Sequence, residues 1–189
     1  MGNRHSKKKL TKEDMQFLTK HTHFSESQIK IWYQGFMKDC PKGLLSKDKL
    51  MEVYSDLFRQ GNPEMFCDHV FRTFDHDNSG HIDFKEFMLA ISVTSARDPK
   101  EKLNWAFTMY DKNKDGTIEK SEMVEIITAI YEMLGCTDSQ EPPEKRTESI
   151  FHKMDVNNDG VLSKEEFITG CLDDDDLRQM LTVDAICPP

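Results

Sequence analysis

No run in the 189-residue sequence stays apolar for the roughly 18 residues that a membrane-spanning helix needs, so neither a helical span nor a secretory hydrophobic segment is expected. Cysteine is sparse. Cys40, Cys67, Cys136, Cys171 and Cys187 are odd in number and share no metal-ligand spacing, which predicts reduced thiols in a cytoplasmic setting. Cys187 stands third from the end, where a prenylation box needs its cysteine fourth. Nothing matches a nucleophile with a paired base, a phosphate-cradling glycine loop or a zinc-ligand spacing, so no enzyme is expected. Glycine too is scarce, at 9 residues, and the positions of those few organise the chain.

Three of them sit at the sixth position of an acidic twelve-residue stretch. Asp111 to Glu122, DKNKDGTIEKSE, offers Asp111, Asn113 and Asp115 at positions 1, 3 and 5, the Thr117 carbonyl at 7, Glu119 at 9 and Glu122 at 12, with Gly116 at 6. Calcium takes six to eight oxygen ligands, and this is the spacing of an EF-hand loop, whose position 6 needs glycine for a sharp turn. Asp75 to Glu86 repeats it with Asp75, Asp77, Ser79, the His81 carbonyl, Asp83 and Glu86 around Gly80; Asp155 to Glu166 repeats it with Asp155, Asn157, Asp159, the Val161 carbonyl and Glu166 around Gly160. The loop starts are 36 and 44 residues apart, room each time for an exiting helix, a connection and an entering helix. The spacing therefore predicts three calcium ions, with magnesium as the occupant considered when calcium is absent. Ser163 stands at position 9 of the last loop, where the others have Asp83 and Glu119, so that site should be the weakest.

A fourth copy, Lys38 to Lys49, keeps Gly43 at position 6 and Leu45 at 8 but has Lys38, Cys40, Lys42 and Lys49 at positions 1, 3, 5 and 12. Ammonium groups replace ligand oxygens and Pro41 stiffens the turn, so no metal is expected there. Its expected role is structural, Leu45 pairing with Ile82 as Ile118 pairs with Leu162. For Cys40 a redox role stands beside the plainer reading of a small residue filling a disabled loop.

The net charge of −9 is divided unevenly: residues 1–12 hold Arg4, Lys7, Lys8, Lys9 and Lys12 with no acid, and the remainder has 20 basic and 34 acidic residues. An acidic body with a basic head free of aromatics points to an anionic membrane surface and not to nucleic acid. The head begins MGNRHS, which matches a myristoylation signal on Gly2; a plain basic terminus is the alternative. Apolar residues at helical spacing follow. A short helix is predicted over 11–19, an entering helix over 25–37 behind the capping box Ser25/Gln28, a break at Gly61-Asn62-Pro63, and a new helix at Asp98-Pro99-Lys100-Glu101. Asp173 to Asp176 suit a helix N-terminus, with a weak calcium site as the alternative.

These elements define an all-α fold: four EF-hands in two paired lobes with short β-bridges between loops. The expected division is 1–24 for the acylated basic segment, 25–95 and 96–172 for the two pairs, and 173–189 for the tail. Trp32, Phe36, Tyr54, Phe84 and Phe87 in the first pair read either as core or as a groove for an amphipathic target helix. The chain resembles the neuronal calcium sensor family, nearest its neurocalcin, hippocalcin and visinin-like branch, through MGNRHS, WYQGFMKDCPKGLL (32–45), ISVTSA (91–96), KLNWAFTMYD (102–111) and PEKRTESIFHKMD (143–155). That resemblance implies a myristoyl group hidden without calcium and extruded with it, and a first-lobe groove that binds helices of kinases, cyclases, receptors or channels. A cytoplasmic protein that moves to membranes with calcium is the expectation, and a cytosolic calcium buffer is the alternative.

Overall fold

The computed structural model describes residues 10–135 and 141–181. In chain order the described elements are α1 (Lys12–His21), α2 (Glu26–Asp39), β1 (Leu44–Leu45), α3 (Lys47–Leu57), α4 (Glu64–Phe74), β2 (Ile82–Asp83) and α5 (Phe84–Thr94). After them come α6 (Pro99–Tyr110), β3 (Thr117–Glu119), α7 (Lys120–Leu134), α8 (Pro143–Met154), β4 (Val161–Ser163), α9 (Lys164–Asp173) and α10 (Asp175–Leu181). The fold is all-α with small two-stranded bridges.

Helix ends follow the chain's own side chains. Ser25 Oγ accepts from Gln28 N while Gln28 Oε1 accepts from Ser25 N at 2.9 Å, which starts α2 with a reciprocal cap. Thr11 and Asp14 do the same for α1, which runs two residues beyond the expected end, to His21. At α6 the Asp98 carboxylate accepts from Lys100 N at 2.9 Å, ahead of Pro99 at the first turn; the cap goes to the second residue of the helix instead of forming a box with Glu101. Gly135 closes α7 in the left-handed conformation at φ 65°, the usual way to end a helix on glycine.

The position 8 residues pair as their spacing requires. Leu45 lies opposite Ile82 and Ile118 opposite Leu162, both in antiparallel register. Ile82, Ile118 and Leu162 are fully buried, so each bridge ties two loops together and anchors them in the core. Around them pack Phe66, Met88, Leu103, Met109, Tyr110, Met123, Ile126 and Phe167, nearly all without solvent contact. Removing such side chains from water stabilises by about 1.5–3 kcal/mol each. Leu177 and Leu181 of α10 join this core, so α10 lies against α9 of the second pair. The two pairs also meet: α4 packs on α6 and α7, with the Phe74 ring 5.2 Å from Trp105. The expected boundary at 95/96 falls in the connection between α5 and α6. Gly2, the basic residues before Leu10, and Cys136 and Cys187 lie outside the described residues.

Candidate metal sites

Each acidic loop is built so that its own amides aim its oxygens. In the loop of the second hand Asp75 accepts from Ser79 N and Gly80 N, both at 2.9 Å, and Asp77 accepts from Ser79 N at 3.0 Å. Glu86 reaches back across the loop: Oε1 accepts from His76 N at 2.8 Å and Oε2 from Asp83 N at 2.9 Å. A carboxylate oxygen keeps a second lone pair, so these bonds orient the ligands without using them up. Oxygens of Asp75, Asp77 and Glu86 all lie within 4.8 Å of one another. Two oxygens on one calcium ion at 2.3–2.6 Å are separated by at most about 5 Å, so this hard, all-oxygen set fits that ion.

The third and fourth hands repeat the wiring. Asp111 accepts from Asp115 N and Gly116 N, Asn113 Oδ1 from Asp115 N, and Asp115 from the backbone and hydroxyl of Thr117. Glu122 accepts from Lys112 N at 2.9 Å, Asn113 N at 3.1 Å and Glu119 N at 3.0 Å. Asp155, Asn157, Asp159 and Glu166 make the corresponding bonds to Asp159 N, Gly160 N, Val161 N, Val156 N and Ser163 N. Position 3 is an amide in both loops; Glu119 at position 9 keeps the third loop at four ligand carboxylates, the number in the second hand's loop, and Ser163 leaves the fourth with three. Hydrogen bonding from Ser79 lowers the pKa of Asp77, Thr117 does so for Asp115, and Ser163 for Glu166, each keeping a ligand ionised as cation binding requires.

Positions 9 and 12 serve a second purpose. Asp83 is the N-cap of α5, accepting from Lys85 N and Glu86 N, and Glu86 is its third residue. Glu119 and Ser163 occupy the same place before α7 and α9. Of the position 7 residues, Thr117 and Val161 open β3 and β4, and the His81 carbonyl, just ahead of β2, accepts from Ser79 Oγ at 2.9 Å. Position 4 of each loop carries no expectation from the ligand spacing. Asn78, Lys114 and Asn158 all have positive φ, 54°, 61° and 58°, ahead of the position 6 glycines. Asparagine there is a readable signal, being enriched in this conformation, while Lys114 gives none.

The loop 38–49 keeps half of this design. Gly43 holds φ 75°, and Ser46 at position 9 still caps α3 by accepting from Lys49 N at 3.3 Å. Lys49 cannot return the bond, and its ammonium turns outward to Glu52 at 2.5 Å. Pro41 stands where the other loops turn left-handed, which its ring forbids, and the turn closes through Gly43 N on Cys40 O at 2.8 Å.

Of the aromatic residues expected in a groove, four come together. Phe36 lies 5.4 Å from Phe84 and 5.1 Å from Phe87, and Trp32 lies 5.9 Å from Phe87. Tyr33, not among the expected set, joins them at 4.9 Å from Phe84. Tyr54 goes elsewhere, stacking on Phe58 and meeting the Phe66 ring at a tilt. Phe36, Tyr54 and Phe84 are buried, Phe87 is partly so, and Trp32 is 39% exposed.

Family profiles described as an EF-hand domain pair match residues 41–90 and, separately, 100–172. Among curated relatives, neuronal calcium sensor 1 of Lymnaea stagnalis is 43% identical over 187 residues, covering 97% of each chain. S-modulin of Aquarana catesbeiana is 38% identical over 178 residues, covering 91% of this chain and 88% of its own. Human recoverin is 37% identical over 178 residues, covering 91% and 89%. With both loop pairs, their bridges and near-complete coverage in agreement, the chain belongs to the neuronal calcium sensor family of EF-hand proteins.

Proposed function

We infer that this protein is a calcium sensor that couples three bound ions to membrane attachment and to the binding of a target helix. One observation carries the reading: in the second hand the position 9 and 12 ligands, Asp83 and Glu86, are also the N-cap and third residue of the exiting helix, and Phe84 and Phe87 follow them directly. An ion drawn to Asp75 and Asp77 on one side and Glu86 on the other pulls on the first turn of α5, which bears Phe84 and Phe87. Those rings pack on Phe36 and Trp32 of α2, so movement of α5 opens the aromatic cluster as a groove. An amphipathic helix of a kinase, cyclase, receptor or channel is the occupant such a groove suits.

Loops starting at 75, 111 and 155 each take one ion, the last most weakly, and magnesium occupies them when calcium is low. A myristoyl chain on Gly2 alone binds bilayers with a constant of about 10⁴ M⁻¹, so it needs a second signal. Arg4, Lys7, Lys8 and Lys9 supply it at about 1 kcal/mol per residue near anionic lipid. The acidic body opposes approach to that surface, and three calcium ions offset part of its charge. Calcium thus moves a cytoplasmic protein to membranes; among the described residues no helix is long and apolar enough to cross one.

The test is co-sedimentation of the acylated chain with phosphatidylserine vesicles, in calcium and in chelator, alongside the Gly2→Ala chain. Calcium-dependent pelleting that Gly2→Ala abolishes is the expected result. Equal pelleting in both conditions makes the acyl group a constant anchor. A hydrophobic dye that fails to brighten with calcium would make the protein a buffer.

A further inference from the structure

The seam between the two EF-hand pairs contains a cation that the calcium loops do not explain. Arg72 lies on α4, three residues before the second hand's loop, yet its guanidinium reaches into the third hand. Nη1 donates to the Lys112 carbonyl at 2.9 Å and Nη2 to the Met109 carbonyl at 2.8 Å. Met109 belongs to the last turn of α6, whose carbonyls lack intrahelical partners, and Lys112 is position 2 of the loop. The two held carbonyls therefore straddle Asp111, the first ligand. Lys112 in turn donates its N–H to Glu122, the last ligand, at 2.9 Å. The corresponding residue before the other three loops is Gly35, Thr108 or His152, none with a guanidinium's two-pronged reach.

A second tie pins the other helix of the same hand. Asn62 N donates to Glu132 O at 2.8 Å near the end of α7. There the backbones cross so closely that a Cβ on Gly61 would stand 2.1 Å from Met133 O, and one on Gly135 would stand 2.4 Å from Gln60 O. Both helices of the third hand are thus fastened to the first pair.

We propose that Arg72 is a positioning residue for the third calcium site, making affinity at Asp111 to Glu122 depend on how the two pairs are seated. The proposal rests on the reading of that loop as a calcium site. By linkage, an ion in the third hand biases the seam by the same factor by which the seam biases the ion. A bare charge effect has the opposite sign: a guanidinium near Asp111 and Glu122 repels calcium, so its loss would tighten binding.

The experiment is a calcium titration of the full chain that follows the amide resonances of Gly80, Gly116 and Gly160, one for each loop. The expected shift in the Gly116 midpoint is about tenfold weaker in Arg72→Met, within the usual range of coupling between sites, and about threefold weaker in Arg72→Lys. Gly160 follows through the β3–β4 bridge, and the Gly80 midpoint stays within about twofold. Gly61→Ala touches no ligand but wedges the seam, and it should weaken the Gly116 response as well; it carries the test if Arg72→Met does not fold. A Gly116 midpoint that is unchanged or tightened in Arg72→Met, or indifferent to Gly61→Ala, overturns the proposal. A Gly116 amide that ignores calcium in the unsubstituted chain overturns the site itself, and the proposal with it.

Discussion

The first EF-hand pair and the second share one backbone plan and differ in what they put on it. The first pair joins its loops by a two-residue bridge, carries one loop of lysines, and gathers a cluster of interacting aromatic rings with Trp32 partly in solvent. The second joins its loops by three residues on each side, carries two acidic loops, and covers its core with α10. The comparison shows that the hand is held by its glycine turn, its bridge residue and its helix cap, none of which needs a metal. Ligand oxygens are an addition to that frame, and they add wiring between the loop and the exiting helix.

The sharpest way to break this comparison is Glu122→Gln. The amide keeps the size and an oxygen but loses the charge and the two-oxygen grip, so the third site should move from the sensor range of about 10⁻⁷–10⁻⁵ M towards about 10⁻⁴–10⁻³ M. Calorimetry should then count two ions at micromolar calcium; three would mean that the carboxylate is dispensable.

A second test concerns His69, which belongs to the first pair by sequence but is buried at 8% exposure. Burial, then the nearby Arg72 charge, lowers its pKa from 6.5 to about 4, with Lys112 acting the same way and Glu125 and Asp68 against it. Between those values the unfolded chain holds a proton that the folded chain refuses. Stability therefore falls as pH drops from about 6.5 to 4, by on the order of 3 kcal/mol from this residue. Urea unfolding in chelator should show that slope, and His69→Gln should flatten it. Identical slopes would place the imidazole in contact with water.

The smallest effect tests the frame itself. Gly43→Ala should cost about 1 kcal/mol, because φ is 75° and the added methyl meets only ordinary contact with Met37. The loss should be equal in calcium and in chelator, measured by urea melts. A larger loss in calcium would mean that the lysine loop takes part in metal binding after all.

Most of the fold was legible because it rests on short-range chemistry. The glycine at position 6, the apolar residue at 8 and the caps at Ser25 and Asp98 announce themselves within a few residues, and the pairing of Leu45 with Ile82 follows from the repeat. What could not be read lies across long sequence distances. Nothing near Arg72 says that its partners are 37 and 40 residues away, and His69 looks like any helical histidine until α4 lies against the second pair. Tyr54 shares the aromatic character of the groove set, but the direction of α3 turns it towards Phe58 and Phe66. Lys114 adopts a left-handed conformation that its side chain gives no reason to expect, imposed by the ligands on either side.

The lysine loop has one more consequence, in terms of fields and not of folding. Residues 38–49 hold four lysines, Lys38, Lys42, Lys47 and Lys49, against Asp39 and Asp48, a net charge of two positive. That equals the charge of one calcium ion. The first hand therefore contributes a cationic potential of its own, while on the proposed reading each acidic loop changes by two units whenever an ion arrives or leaves. On the proposed reading, calcium raises the potential of the second, third and fourth hands towards a level that the first holds permanently. The molecule carries its own fixed reference beside the signal, and the contrast between hands is greatest at rest and least when calcium is bound.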